Sequence, residues 1–153
     1  MAEQKKRWEF VPGDEIVIAP GRTVKRIRAL VAIAVLGVVP GDAGGYVEKE
    51  ENLSQVSGNA WVYGNARVSG DARVSGNAFI CWFSKVGSEN GTLTIYNTKE
   101  NSIEVTRGCF RGTVDEFLAA SARKHDARIL HEYKLLIEVG VSRITAARES
   151  CHE

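Results

Sequence analysis

The side chains able to do chemistry are few and scattered along the 153 residues. Cysteine occurs at Cys81, Cys109 and Cys151, in no C-x-x-C or Cys/His spacing that would hold a metal. These read as reduced thiols of a cytosolic protein. Cys109 stands before Phe110, and to act as a nucleophile it would need a base that only the fold could bring, from His125 or His131. A packed structural cysteine is the simpler account. His125 and His131 lack the i, i+4 spacing of a helical ligand pair, so no metal site is expected. Arg26 and Arg28, two apart on an extended segment, share one face and could hold an anion; a solvated strand face explains them more simply. Glu48, Glu50 and Glu51 superficially suggest paired catalytic carboxylates, but no histidine or cysteine lies near them in sequence. They read as a solvated edge. No catalytic residue and no cofactor follow from these patterns.

Bulk properties exclude several classes. A net charge of +1 gives no general reason to expect nucleic acid or a membrane surface as partner. The basic cluster Lys5, Lys6, Arg7 reads as a solvated terminus. The start, MAEQKKRWEF, has no apolar stretch behind its charges and is not read as a signal peptide. Residues 29–39, ALVAIAVLGVV, fall short of the roughly 20 apolar residues that a membrane helix needs, and are expected to be a buried segment. The expected location is the cytoplasm of a bacterium.

Any surface that these side chains serve must be positioned by residues 56–79, VSGNAWVYGNARVSGDARVSGNAF, in which a six-residue unit recurs four times. Val56, Val62, Val68 and Val74, then Ile80, fall at every sixth position. Ala60, Ala66, Ala72 and Ala78 follow each valine by four, with a Gly-Asn or Gly-Asp pair between. Neither a helix nor a hairpin strand has this period; a parallel β-helix does, its short strands joined by turns. Valine and alanine would point inward, and Gly and Asn would supply left-handed turn angles. With three units per coil, residues 18 apart stack. Trp61 would then lie over Phe79 as an outer aromatic ladder, and Arg67 would stack with Lys85. Trp61, Tyr63, Arg67, Arg73 and Phe79 are therefore the expected partner-binding residues. Covering of the Trp61–Phe79 face by the flanking segments is the alternative, because so short a solenoid needs capping.

Around the repeat, Glu15–Ile18 and Thr23–Val39 suit strands, and Pro40-Gly41-Asp42 marks a turn. Thr92–Thr98 and Ser102–Arg107 alternate as a β-hairpin. Thr113-Val-Asp-Glu116 is a capping box opening a helix to about Lys124. A second helix is predicted from about Asp126 to Glu138, ended by Gly140, with Val141–Ile144 a last strand and a tail to Glu153 that is loose or a frayed helix. The expected architecture is mainly β with α: an N-terminal β segment (1–45) capping a short left-handed parallel β-helix (46–82), then a small α+β subdomain (83–153) of a hairpin and two helices.

Three stretches together resemble a family of small prophage and bacterial hexapeptide-repeat proteins: RIRAL (26–30) with the Pro-Gly-Asp-Ala-Gly-Gly-Tyr-Val-Glu segment and Glu50-Glu-Asn-Leu-Ser54; the GNAWVYGNARVSGDARV repeat; and Gly108-Cys-Phe-Arg-Gly-Thr-Val-Asp-Glu-Phe117. The resemblance spans about residues 8–140. It implies a left-handed β-helix core with an α/β appendage and a phage-like setting, and supplies no catalytic residues. The 31–39 run and the chain after Gly140 depart from the family pattern.

Hexapeptide acyltransferases share such repeats, but they present a histidine base from the coils, and here none precedes His125. The expected function is a non-enzymatic phage-type interaction protein that binds and inhibits a host defence or regulatory protein. Alternatives are a small-ligand or nucleotide sequestering protein, using Arg26/Arg28 or Arg67/Arg73, and a phage structural component. Open β-helix ends leave room for a homo-oligomer.

Overall fold

The computed structural model describes residues 6–56 and 59–150. Cys151 and the tail, Lys5, and positions 57 and 58 of the repeat lie outside the described residues. Strands β1 (Trp8–Ala19) and β2 (Arg22–Ala29) form an antiparallel hairpin. Gly21 turns it at φ +73°, an angle that glycine adopts at low cost. Strand β3 (Ala43–Val47) pairs antiparallel with β2, and the two-residue β4 (Arg67–Val68) pairs parallel with β3. A second sheet is an antiparallel meander of β5 (Ile80–Val86), β6 (Gly91–Asn97), β7 (Ile103–Arg107) and β8 (Phe110–Thr113). Helices α1 (Val114–Lys124) and α2 (Ala127–Ser150) follow. The hairpin expected at 92–98 and 102–107 is β6–β7. The capping box also forms: Glu116 N donates to Thr113 Oγ1 and Thr113 N to Glu116 Oε1, both at 3.1 Å.

The left-handed β-helix does not form. Among the described residues only one short parallel strand pair is present, Tyr46 with Arg67 and Val47 with Val68, with a single isolated parallel bridge, Leu53 to Val74; the rest of both sheets is antiparallel. The inward side forms in the middle of the repeat: Val62, Val68, Val74, Ala60 and Ala66 are fully buried, and Ala72 nearly so, whereas Val56 and Ala78 at its two ends, also expected to point inward, are exposed. Asn59, Gly64 and Gly70 take the left-handed turn angles. What fails is the stacking. Four units supply barely more than one coil, so most of the repeat has no copy above or below to pair with. Its backbone turns instead to unrelated elements: Gly45 N donates to Val62 O at 2.7 Å, Tyr46 N to Ala66 O at 3.0 Å, and Arg73 N to Asn97 O at 2.9 Å. Ala72 bridges antiparallel to Thr98.

Two further expectations are corrected. The 29–39 run is not a buried strand. After β2 it becomes a loop around the single 3-10 turn Ala34–Leu36, closed by the Ile33–Val38 bridge. Ile33 and Val38 enter the core while Val35 and Val39 remain 74% and 55% exposed. Nor does Gly140 stop the second helix. α2 continues through 141–144, the expected last strand, to Ser150. Gly140 is there because α2 crosses β6 closely: a Cβ at this position would lie 2.5 Å from Ile95 Cδ1.

The core has two parts. One packs Trp8, Ile27, Val47 and Leu53 against the inward valines and alanines of the repeat, Trp61 and Tyr96. The other packs Leu93, Ile95 and Val105 of the second sheet against Phe117, Ile129, Tyr133, Ile137 and Ile144 of the helices.

Candidate functional site

The five repeat residues expected to form one display surface part company. Trp61 is fully buried, because the Gly44-Gly45 backbone of β3 comes down upon it: a Cβ on Gly44 would stand 2.8 Å from Trp61 Cζ2 and 2.7 Å from Val62 O. The Gly-Gly pair is the signal that could have placed this ring, since glycine in a strand often marks a close approach of another group. Among the described residues, no ring contact links Trp61 to Phe79, which is half-buried in the short 3-10 turn Asn77–Phe79. Arg67 does not stack with Lys85. Its Nη1 donates to Gly108 O at 2.8 Å, tying the repeat to the β7–β8 turn. Arg73 is exposed.

Among the described residues, Tyr63 is the one of the five with a ring partner. It is half-buried, forms a tilted pair with Trp82 at 5.5 Å between ring centroids, and donates its hydroxyl to Leu36 O at 2.9 Å. That bond fastens the 30–39 loop, with its exposed Val35, beside the aromatic pair. Sequence reasoning missed Trp82 and this loop, because the pair is made across elements and no local period marks it.

The arginines proposed for an anion are already occupied. Arg26 donates to Asp14 Oδ2 at 2.8 Å, Gly44 O at 2.8 Å and the Tyr46 hydroxyl at 2.6 Å, with its guanidinium 4.4 Å from the Tyr46 ring centroid. Arg28 is paired with Glu9 through both Nε and Nη2. The two do share one face, and Asp14 and Glu9 of β1 neutralise it. Glu48 is not solvated either: it accepts from Arg22 Nε at 3.1 Å and Gly70 N at 2.8 Å. Glu50 meets Lys6 at 2.9 Å on the surface.

A cavity of about 800 Å³ lies between the β7–β8 turn and the two helices. Arg107, Cys109 and Phe110 of the turn region, Ser121 and Tyr133 of the helices and His125 between them line it. Cys109, expected to be packed, is exposed at its edge as a free thiol, because Gly108 at φ +59° and Cys109 are the two-residue turn between paired Arg107 and Phe110. Cys81 is half-buried, and burial pushes its thiol up, with Arg143 opposing. His125 Nδ1 lies 3.4 Å from Ser88 Oγ. Arg107 Nε and Ser121 Oγ are buried and have no hydrogen-bond partner, a state that costs about 1–3 kcal/mol per group when nothing compensates it.

Among the described residues, no three His, Cys, Asp or Glu side chains stand close enough to hold a metal, and no helix is long and apolar enough to cross a membrane. Residues 54–70, 61–76 and 66–81 match the YdcK Beta solenoid repeat family. The match falls on the six-residue repeat and covers well under half of the chain, so 54–81 carries a β-solenoid repeat sequence. No curated protein and no solved structure matches the chain.

Proposed function

We propose that this chain acts by binding a protein partner, without catalysis, and that the partner docks where the 30–39 loop meets the Tyr63–Trp82 pair. The observation that carries the reading is the exposure of Val35 and Val39, 74% and 55%, in a loop held in place by the Tyr63 hydroxyl. Aliphatic side chains kept in water forgo roughly 25 cal/mol for each Å² that could be buried, and apolar patches rimmed by polar groups mark interaction sites. Tyrosine and tryptophan are the residues that most often dominate such contacts. Trp61 has no part in this surface. The resemblance to phage-borne proteins supplies the partner class, a protein of the bacterial host whose activity the docked chain blocks, in the cytoplasm. A second copy of the chain is the other occupant to separate.

The test is the double variant Val35→Asp/Val39→Asp. Both side chains point into water, so the fold should survive, as circular dichroism would verify. Wild type immobilised against a bacterial lysate should retain a defined host protein that the variant loses, and the purified pair should then bind directly. Identical retained proteins for the two forms, or none, would remove the reading of a foreign partner. Sedimentation separates the self-association case: wild type heavier than the variant at equal concentration makes the patch an interface between copies.

A further inference from the structure

Seven arginines are half-buried: Arg7, Arg22, Arg26, Arg28, Arg67, Arg107 and Arg148. Six of them donate to a carboxylate, a carbonyl or a side-chain amide oxygen of the chain. The Arg107 side chain makes no hydrogen bond among the described residues, and its Nε is buried. The guanidinium is backed by the β6 main chain at Gly91, where a Cβ would lie 2.4 Å from Arg107 Cζ. Arg107 also lines the cavity. Such a planar fork is suited to grip the two oxygens of a carboxylate or phosphate.

A second, independent observation lies in the same lining. Ser121 is 4% exposed, lines the same cavity, and its Oγ has no partner among the described residues. Buried hydroxyls are ordinarily satisfied, so an unpartnered hydroxyl in the lining that also holds an unpartnered arginine points to a missing acceptor. The remaining wall is aromatic and fixed. Phe117 meets Phe110 edge-on at 5.4 Å and Tyr133 at 4.9 Å. Arg123 and Lys124 add positive charge to the lining. Of the two acidic residues there, Glu89 is exposed and Asp126 is engaged by Ile129 N at 2.9 Å. A volume of about 800 Å³ is in the range of sites for small organic ligands.

We propose that this cavity binds a small organic oxyanion, a carboxylate or a phosphate monoester, with a flat apolar body: Arg107 holds the anionic head and the Phe110–Phe117–Tyr133 wall holds the body. The site is separate from the protein-docking surface, so either can fail alone.

The test uses the whole isotopically labelled chain titrated with benzoate, phenyl phosphate, inorganic phosphate and, as the neutral analogue, benzyl alcohol. The two aromatic anions should shift amide resonances of residues 107–126 saturably, and whichever binds tighter assigns the head as carboxylate or phosphate. Inorganic phosphate, lacking the body, should bind more weakly than phenyl phosphate. Arg107→Gln should weaken the better anion about tenfold or more, as expected when a charge-assisted pair is lost. Arg107→Lys, which keeps the charge without the fork, should fall between. Should Arg107→Gln fail to fold, the wild type decides, because the Arg107 Nε–H resonance must move with the anions and not with benzyl alcohol. Equal binding of benzyl alcohol and benzoate, equal binding by wild type and Arg107→Gln, or no saturable shift with any probe would overturn the proposal.

Discussion

Glu48 and Glu104 are both shielded from water, with side chains 11% and 16% exposed, yet they answer to pH in opposite senses. At Glu48 burial, the largest single influence, pushes the carboxyl up, but the Gly70 amide and the Arg22 guanidinium together hold it below its ordinary 4.5. At Glu104 burial again leads and this time wins, leaving the carboxyl above 4.5 although the Tyr96 hydroxyl and Arg111 favour its charge. A raised acid binds more protons folded than unfolded. Its stabilising contribution is complete below the unfolded value and lost as pH rises through the folded one. For the lowered Glu48 the contribution is present above the unfolded value and lost as pH falls through the folded one. Urea titrations at about pH 4 and about pH 7 should therefore show Glu104→Gln gaining on wild type as pH rises, by no more than about 1 kcal/mol after solvent screening. Glu48→Gln should show the reverse, losing more at the higher pH. A wild type and Glu104→Gln difference that is flat with pH would remove the assignment. Neither role was legible in the sequence, where Glu48 looked like a solvated charge: its partners Arg22 and Gly70 come from distant turns. Trp61 illustrates the same point, since a period of six fixes which residues share a side but not which side another strand will cover.

Elements whose signals are local were legible. The Thr113–Glu116 capping box and the alternation of β6 and β7 need nothing beyond their own residues. β5 and β8 were not, since β5 begins at the residue where the repeat ends and β8 is four residues long. The β-solenoid pattern at 54–81 was legible as a pattern, and its failure to coil is a matter of length: strands gain their ladder only from neighbours, and here the neighbours are β3 and the second sheet. α2 is the most instructive case. Glycine commonly ends a helix because it accepts left-handed angles, yet Gly140 is an interior helical residue kept small by Ile95. Replacing it by alanine should bring a helix-propensity gain of up to about 1 kcal/mol against a clash 2.5 Å from Ile95 Cδ1. Removing that methyl by Ile95→Val should relieve the clash. In a double-mutant cycle read by chemical denaturation, Gly140→Ala should then be better tolerated beside Ile95→Val than in wild type, with a coupling of about 0.5 kcal/mol or more. Additive effects would mean that α2 and β6 are not in the contact described.

At the scale of the molecule the question is whether two core regions make one cooperative unit. The seam between them is made by the repeat. Arg67 N donates to Thr94 Oγ1 at 3.2 Å and Thr106 Oγ1 to Arg67 O at 2.7 Å. Lys99 N donates to Asp71 O at 2.9 Å. Tyr96 is the keystone of this seam: a fully buried side chain of β6 that belongs to the first core, with one hydroxyl proton divided between Ser69 O at 3.1 Å and Glu104 Oε2 at 2.5 Å. Burial, then Glu104, pushes that phenol well above its ordinary 10.0, so it stays protonated and donating throughout the neutral range. The repeat thus serves as mortar between two antiparallel sheets, which gives its stiffness a use that no coil requires. Optical probes weight the halves differently. Trp8 and Trp61 are buried in the first core and Trp82 of β5 packs against it, whereas both α-helices follow Thr113 and report the second. Tryptophan fluorescence and helical circular dichroism should therefore follow one coincident urea transition. Tyr96→Phe, which takes the hydroxyl from Glu104 and leaves the Ser69 carbonyl with the Ala72 amide alone, should lower both midpoints together, at a cost of about 1–3 kcal/mol. If the helical signal melts first while the fluorescence transition stays in place, the halves are independent and the seam is only a contact.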